Sequence, residues 1–135
     1  MTQPPTLKLS EAMRLGAMLK PQIFGEVFDG VGTCAMGAAY DAIGALDQLP
    51  CIYDILKTDN NILPITCAGA LQWHRGILRE PAICPECGSA DHLHYIVTHL
   101  NDSHRWSRER IADYIATIET QKEAPEQLVE LQATI

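Results

Sequence analysis

The stretch CPECGSADHLHYIVTHLNDSH, residues 84–104, contains two of the five cysteines and four of the five histidines in a chain of 135 residues. Thiolates and imidazoles are the ligands that zinc and similar metal ions prefer in proteins. Their concentration in this one stretch predicts a metal site, and the metal that it favours is Zn²⁺.

The segment Cys84-Pro85-Glu86-Cys87-Gly88 forms the first half of the predicted site. Two residues between the cysteines allow both sulfurs to face one point, as in a rubredoxin-like knuckle. Gly88 can adopt the left-handed conformation that such a turn requires. Structural zinc sites are closed and tetrahedral, so two further ligands must come from elsewhere.

The histidines of the same stretch supply the remaining candidates. We predict that Asp91 caps a helix from His92 to about Asn101, which places His99 near the end of that helix and His104 just beyond an Asn-Asp-Ser turn. The resulting pattern, C-x2-C-x11-H-x4-H, is one residue short of the spacing of C2H2 zinc fingers. Four protein ligands leave no open position, so the predicted zinc is structural rather than catalytic.

Three alternatives to this metal site remain at this point. His92 or His94 could replace one of the predicted histidine ligands, although both follow Cys87 closely in the chain. The cysteines could also be a reduced pair beside surface histidines, or a redox-active C-x-x-C motif, for which no thioredoxin-like βαβ context is visible.

The segment after the cluster, WSRERIADYIATIE, is the clearest helix in the sequence. Ser107 is its predicted N-cap, and apolar residues recur with helical spacing at Ile111, Tyr114, Ile115 and Ile118. Together with the preceding helix it gives a predicted zinc-stapled helical hairpin over 84–122. Pro125 begins a separate segment, so we expect residues 123–135 to form a short helix or to be disordered.

Residues 1–83 are expected to be the N-terminal helical part of the same domain. Ser10 should cap a helix that runs to about Lys20, and Thr33 should cap a second helix over about 34–46. Small residues in both helices predict that the two cross closely, and further helices are expected at 51–57 and about 66–77. The predicted fold is therefore mainly α, a small helical domain with a C-terminal zinc-knuckle and helical-hairpin element.

The chain also resembles small uncharacterised bacterial and phage-encoded proteins that share the pattern CPxCG followed by HLND-x-H-x-WSRE-x-IA. The matching stretches here are CPECG and HLNDSHRWSRERIADYI. The front part of those proteins is similar to two further stretches here, LSEAMRLGAMLKPQ and GTCAMGAAYDAIG. The resemblance therefore covers most of the chain. It implies the same metal-ligand stretch and carries no established activity.

Composition and charge restrict the function classes. The net charge is −7, with an acidic excess in both 1–83 and 84–135, which argues against strong nonspecific binding to nucleic acid. The N-terminus has no apolar signal segment, and no run approaches the length of a membrane span. Three cysteines remain outside the predicted site, at positions 34, 51 and 67, so we expect a cytoplasmic protein in a reducing environment.

The sequence favours a non-enzymatic protein-binding or assembly module held in shape by structural zinc. Its partner is expected to be a protein, which includes a second copy of the chain. The first alternative is a transcriptional regulator that reads DNA with the 107–119 helix through Arg105, Arg108 and Arg110, although interleaved acidic residues indicate a solvated, paired face. The second is a metal-dependent nuclease of HNH type, which would need an open metal position.

Overall fold

Helices dominate the described part of the chain. A computed structural model of the protein describes residues 7–48, 72–74 and 76–133. Its elements there are helices α1 (Leu9–Ala17), α2 (Ala35–Ala42), α3 (Leu93–Asp102) and α4 (Arg108–Ala133), short 3₁₀ helices at Leu46–Gln48 and Ile77–Arg79, and strands β1 (Pro81–Ile83) and β2 (Ala90–His92). The protein is mainly helical, as predicted. The helix predicted at 51–57 and most of the one predicted at 66–77 lie outside the described residues.

Helices α1 and α2 cross at a point where their backbones touch. A Cβ atom added to Gly16 would overlap the carbonyl group of Ala38 and lie 2.8 Å from its Cα, so glycine alone fits there. Ala12, one turn before Gly16, is fully buried as well. The small residues of the two helices therefore permit the close crossing that the sequence predicts.

Helix α1 begins earlier than predicted. Its N-cap is Lys8, and the carboxylate of Glu11 accepts a hydrogen bond from the Lys8 N–H at 3.2 Å. Ser10 lies inside the helix, where its buried hydroxyl donates a 2.5 Å hydrogen bond to the carboxylate of Glu119 in α4. The hydroxyl that the sequence pattern assigned to an N-cap therefore forms a hydrogen bond with a distant helix instead.

The N-cap of α2 also differs from the prediction. Cys34 occupies the position, and its Sγ accepts a hydrogen bond from the N–H of Gly37 at 3.4 Å. The hydroxyl of Thr33 instead accepts a 2.9 Å hydrogen bond from the guanidinium of Arg108. The buried arginine of α4 competes for this side chain, and the thiol one residue later takes over the cap.

Helix α4 is longer than its apolar pattern predicts. Its start agrees with the prediction, since Oγ of Ser107 accepts a hydrogen bond from the N–H of Arg110 at 3.1 Å. The helix continues through Pro125 to Ala133, where the sequence predicts that a separate segment begins. The Glu, Gln, Leu and Ala residues around the proline have high helix propensity. Neither α4 nor any other described helix combines the length and apolar character needed to cross a membrane.

One hydrophobic core joins the N-terminal helices to the C-terminal hairpin. It contains Leu9 and Met13 of α1, Leu100 of α3, and Ile111 and Ile115 of α4, each at most 1% exposed. Helix α1 packs against both α2 and α4. The hairpin is therefore a layer of the same core rather than an appended module.

Strands β1 and β2 form a short antiparallel hairpin that precedes α3. In its register Ala82 pairs with Asp91, so Asp91 belongs to β2 and does not cap α3 as predicted. The N-cap is His92, which makes no side-chain capping bond. The N–H of Leu93 donates to the carbonyl oxygen of Glu80 at 2.8 Å, which extends the pairing up to the first residue of the helix.

Candidate metal centre

Four side chains from two segments converge beside the β hairpin. Cys84, Cys87, His99 and His104 each contribute one possible ligand atom, and these atoms all lie within 4.8 Å of one another. Nε2 of His99 lies 3.0 Å from Nε2 of His104 and 3.3 Å from Sγ of Cys87. The structure therefore brings together all four residues that the sequence predicts as ligands.

A tight turn after β1 places the two sulfurs. The N–H of Gly88 donates to the carbonyl oxygen of Cys84 at 2.9 Å, and the N–H of Cys84 donates to the carbonyl oxygen of Ser89 at 2.8 Å. Gly88 has φ of 79°, a left-handed conformation that glycine adopts without a side-chain clash. Cys84 is buried and Cys87 is exposed, so the cluster lies at the protein surface with one sulfur inside.

The end of α3 places the two histidines. The carbonyl oxygen of His99 accepts hydrogen bonds from the N–H groups of Ser103 at 2.9 Å and His104 at 3.3 Å, which closes the helix with a tight turn. Arg105 follows with φ of 55°, which turns the chain away from the helix direction. The rings of His99 and His104 meet at right angles with their centroids 4.6 Å apart.

His92 and His94 are not members of this cluster. Nδ1 of His92 lies 2.9 Å from the carbonyl oxygen of Arg79. The ring of His94 packs against the ring of His74 with centroids 5.7 Å apart, and its Nδ1 is buried without a hydrogen-bond partner among the described residues. The geometry thus selects His99 and His104 from the histidines that the spacing left open.

Hydrogen bonds favour the thiolate form of Cys87. The hydroxyl and the backbone N–H of Ser89 lower the pKa of the Cys87 thiol, and His104 and His99 add to the effect, which brings this pKa to about 5. The Cys87 sulfur lies 3.2 Å from Oγ of Ser89. Since the thiolate is the form that binds metal ions, the knuckle is prepared for a cation at neutral pH.

Two of the separations between the donor atoms approach those of a tetrahedral ion. Bonds of about 2.0–2.3 Å to zinc place adjacent ligand atoms about 3.3–3.8 Å apart. The observed nitrogen–nitrogen and nitrogen–sulfur distances, 3.0 and 3.3 Å, lie close to that range. Two sulfurs and two imidazole nitrogens suit Zn²⁺, whereas Ca²⁺ and Mg²⁺ prefer oxygen ligands.

Arg108 does not contribute to a surface for nucleic acid. Its side chain is only 5% exposed. The guanidinium donates to the hydroxyl of Thr33 at 2.9 Å and to the carbonyl oxygens of Lys20 and Ala17 at 2.7 and 3.1 Å. The charged group of Arg108, which the sequence predicts as a nucleic-acid contact, is thus bound to the Thr33 hydroxyl and to backbone oxygens at and beyond the end of α1.

The other two arginines of the predicted DNA-reading face each cover an aromatic ring. The guanidinium of Arg105 lies 4.4 Å from the ring centroid of Phe24, and that of Arg110 lies 3.7 Å from the ring centroid of Trp106. Such contacts hold the charged groups against the protein. The three arginines therefore do not form one exposed basic face.

Asn101, which the sequence pattern did not single out, connects α3 to the N-terminal part of the chain. It is fully buried, and its Oδ1 accepts hydrogen bonds from the N–H of Ala35 at 3.1 Å and from Nε2 of Gln22 at 2.9 Å. Its Nδ2 donates to the carbonyl oxygen of Ile23 at 3.0 Å. An Asn-Asp pair normally indicates an exposed turn, so the sequence held no signal for this role.

Comparison with known proteins adds no family to this description. Neither the models of protein families, nor the curated proteins, nor the solved structures gave a match to the chain. The inference of a function therefore rests on the chemistry of the cluster and of the surfaces around it.

Proposed function

We propose that the protein is a non-enzymatic binding or assembly module whose C-terminal hairpin is held together by one structural Zn²⁺ ion. The observation that carries the proposal is the convergence of two sulfurs and two imidazole nitrogens within 4.8 Å. Structural zinc sites use this donor set, and four protein ligands complete the tetrahedron.

The knuckle has few other interactions to hold it. Of the residues that follow β1 and precede α3 in the chain, Cys84 is buried and residues 85–92 are all exposed. Burial of apolar surface therefore contributes little to this segment, and a two-stranded hairpin is marginally stable by itself. An ion that joins both cysteines to α3 would supply the missing free energy, as structural zinc does in other small domains.

The donor set supports a structural role over a catalytic one. Catalytic zinc sites have three protein ligands and keep one position for water or substrate. An HNH-type nuclease needs such a position for its substrate. Four protein donors leave none, so the nuclease alternative has no support from this cluster.

DNA reading has less support than protein binding. A DNA reader would need its arginines on one exposed face, but Arg108 is buried and Arg110 stacks on Trp106. The net charge of −7 also opposes an approach to phosphates.

An exposed apolar surface at the end of α1 supports a protein partner. Leu15, Met18 and Leu19 are 49%, 83% and 58% exposed, and they lie within five residues of one another. Exposed apolar side chains that lie close together are typical of binding surfaces. We place the protein in a reducing cytoplasm, where the thiolates stay available to the metal, with either a different protein or a second copy of the chain as the partner.

Metal analysis tests the zinc centre. Protein produced without added zinc and then dialysed is expected to contain one zinc ion per chain, and a chelator should lower its melting temperature. Cys84→Ser and His104→Ala should each lose the metal. His92→Ala is the matched control and should retain it, because His92 lies outside the cluster. Metal-free wild-type protein with an unchanged melting temperature would contradict the proposal.

Light scattering and a DNA titration test the kind of partner. A mass that increases with concentration in the wild type but not in Met18→Glu would identify self-association through the apolar surface at the end of α1. A constant monomer mass would direct the search to a different protein. Specific binding of duplex DNA that weakens steeply with salt would overturn the assignment of a protein partner.

A further inference from the structure

Glu86 lies between the two cysteines of the knuckle, and its carboxylate faces a histidine of the cluster from behind. Oε2 of Glu86 lies 3.5 Å from Nδ1 of His104. Nε2 of the same ring faces Nε2 of His99 at 3.0 Å. The imidazole of His104 therefore lies between the other donor atoms on one side and a carboxylate on the other.

Trp106, just before α4, and Arg110, in the first turn of α4, fix the orientation of this carboxylate. Nε1 of Trp106 donates a 3.1 Å hydrogen bond to Oε1 of Glu86. A guanidinium nitrogen of Arg110 lies 4.0 Å from the same oxygen, and the guanidinium stacks on the Trp106 ring. Trp106 is only 8% exposed, so it is a rigid donor. Because Oε1 is engaged in this way, Oε2 is the oxygen that faces His104.

We propose that Glu86 is a positioning residue of the metal centre, which accepts the Nδ1 proton of His104 in a hydrogen bond and so presents Nε2 to the ion. This inference rests on the proposed zinc centre and specifies how one of its ligands is held. A histidine that binds metal through one nitrogen usually donates its other N–H to a carboxylate, a carbonyl or water, which fixes the tautomer and the ring orientation.

The alternative is a surface ion pair with no effect on the metal. The side chains of His104 and Glu86 are 21% and 40% exposed, and pairs of this kind contribute little to folding. The two roles therefore predict different results. A surface pair would leave metal affinity unchanged, whereas loss of a carboxylate behind a ligand weakens metal binding about 10- to 100-fold.

Zinc affinity, measured by competition with a chromophoric chelator, is the first readout. Glu86→Gln keeps an acceptor oxygen but loses the charge, so we expect binding about 10-fold weaker than in the wild type. Glu86→Ala removes the acceptor and should weaken binding further, toward about 100-fold. Asp113→Asn is the matched control for the charge, since Asp113 pairs with Arg14 of α1 and is not a member of the cluster, and its affinity should equal that of the wild type.

Nitrogen chemical shifts of His104 provide a readout that a merely structural role would not change. In the zinc-loaded wild type, long-range proton–nitrogen spectra should show a protonated Nδ1 and a metal-bound Nε2. In Glu86→Ala the Nδ1 signal should shift while that of His99 stays in place. Wild-type protein that binds no zinc would sink the proposed function. Wild-type protein that binds zinc, with both Glu86 variants equal to it in affinity and in the His104 signals, would overturn this inference alone.

Discussion

Gly16 of α1 rests directly on the carbonyl group of Ala38 in α2. A methyl group at position 16 would overlap that carbonyl group and lie 2.8 Å from the Cα of Ala38. The obstacle is backbone rather than the end of a flexible side chain. The methyl group could fit only if one helix shifted against the other. Such a shift would disturb the core that α1 shares with α4.

Gly16→Ala is therefore expected to destabilise the protein, although alanine is the better helix former by about 1 kcal/mol. Overpacking costs about 1–3 kcal/mol, so we expect a net loss on the order of 1–2 kcal/mol in the free energy of unfolding. Urea denaturation followed by circular dichroism measures it. Leu15→Ala, at a half-exposed position of the same helix, is the control and should change stability by less than about 0.5 kcal/mol. A Gly16→Ala protein more stable than the wild type would show that the helices do not touch here.

Arg108 connects the start of α4 to the end of α1. Replacing it with alanine leaves the partly buried carbonyl oxygens of Ala17 and Lys20 without their charged donor. Hydrogen bonds to charged groups contribute about 1.5–3 kcal/mol each, so Arg108→Ala should cost on the order of 3 kcal/mol in urea denaturation. Arg14→Ala removes an arginine that pairs with Asp113 at the surface and should cost less than about 1 kcal/mol. Equal losses in the two variants would mean that Arg108 is not bound inside the protein.

The ligands of the candidate centre could be predicted from sequence because their geometry is local. Two residues between Cys84 and Cys87 bring the sulfurs together, and Gly88 closes the turn. His99 and His104 meet because a helix ends between them. Each of these features depends on the conformation of a few adjacent residues, which spacing and glycine placement largely determine.

Contacts between distant segments account for most of the wrong predictions. The side chains of Ser10 and Thr33 both suit an N-cap. In the fold, however, their hydroxyls form hydrogen bonds with Glu119 and Arg108 of α4. A local pattern cannot reveal a partner 75 or 109 residues away along the chain. The same reason explains why the role of Asn101 was missed, because its partners Gln22, Ile23 and Ala35 lie before α2 and at its first residue. The resemblance to the bacterial and phage-encoded proteins stays a prediction.

Asn101→Ala is expected to destabilise the protein by about 2–4 kcal/mol. The substitution removes one buried amide that bonds to Ala35, Gln22 and Ile23, and it leaves the buried N–H of Ala35 without an acceptor. Thermal and urea denaturation of metal-loaded protein measure the loss. Thr98→Ala, which removes an exposed hydroxyl from the same helix, should cost less than about 1 kcal/mol. A loss no larger than that of Thr98→Ala would contradict the buried network.

Metal removal should weaken the hydrogen bond that the side-chain amide of Asn101 accepts at the N-terminal end of α2. His99, a candidate ligand, precedes Asn101 by two residues, so loosening the end of α3 should weaken the bond from the Ala35 N–H. Hydrogen exchange at Ala35 is expected to speed up when a chelator is added. The N–H of Ala12, which bonds to Lys8 within α1, is the internal reference for global opening. If exchange at Ala35 accelerates no more than exchange at Ala12, the metal centre stabilises the whole fold. Asn101 then has no separate role in carrying its effect to α2.

His74 lies in a buried contact away from the candidate centre. It is 4% exposed, its Nε2 lies 2.8 Å from the hydroxyl oxygen of Tyr40, and its ring faces that of His94. Burial, with a smaller contribution from His94, lowers the pKa of His74 from 6.5 to about 4. The folded protein therefore keeps this ring neutral at a pH where an exposed histidine is charged.

Lowering the pH from 7 to 4 should destabilise the wild type more than His74→Gln. Between pH 6.5 and about 4, the unfolded chain binds a proton at His74 that the folded protein does not, so the free energy of unfolding falls as the pH falls. The shift corresponds to about 3 kcal/mol across this window. Urea denaturation of both proteins in chelator, at each pH, measures the difference, because the acid sensitivity of a metal centre is then absent from both. Equal losses in the two proteins would mean that His74 is already charged, or accessible to water, in the folded state.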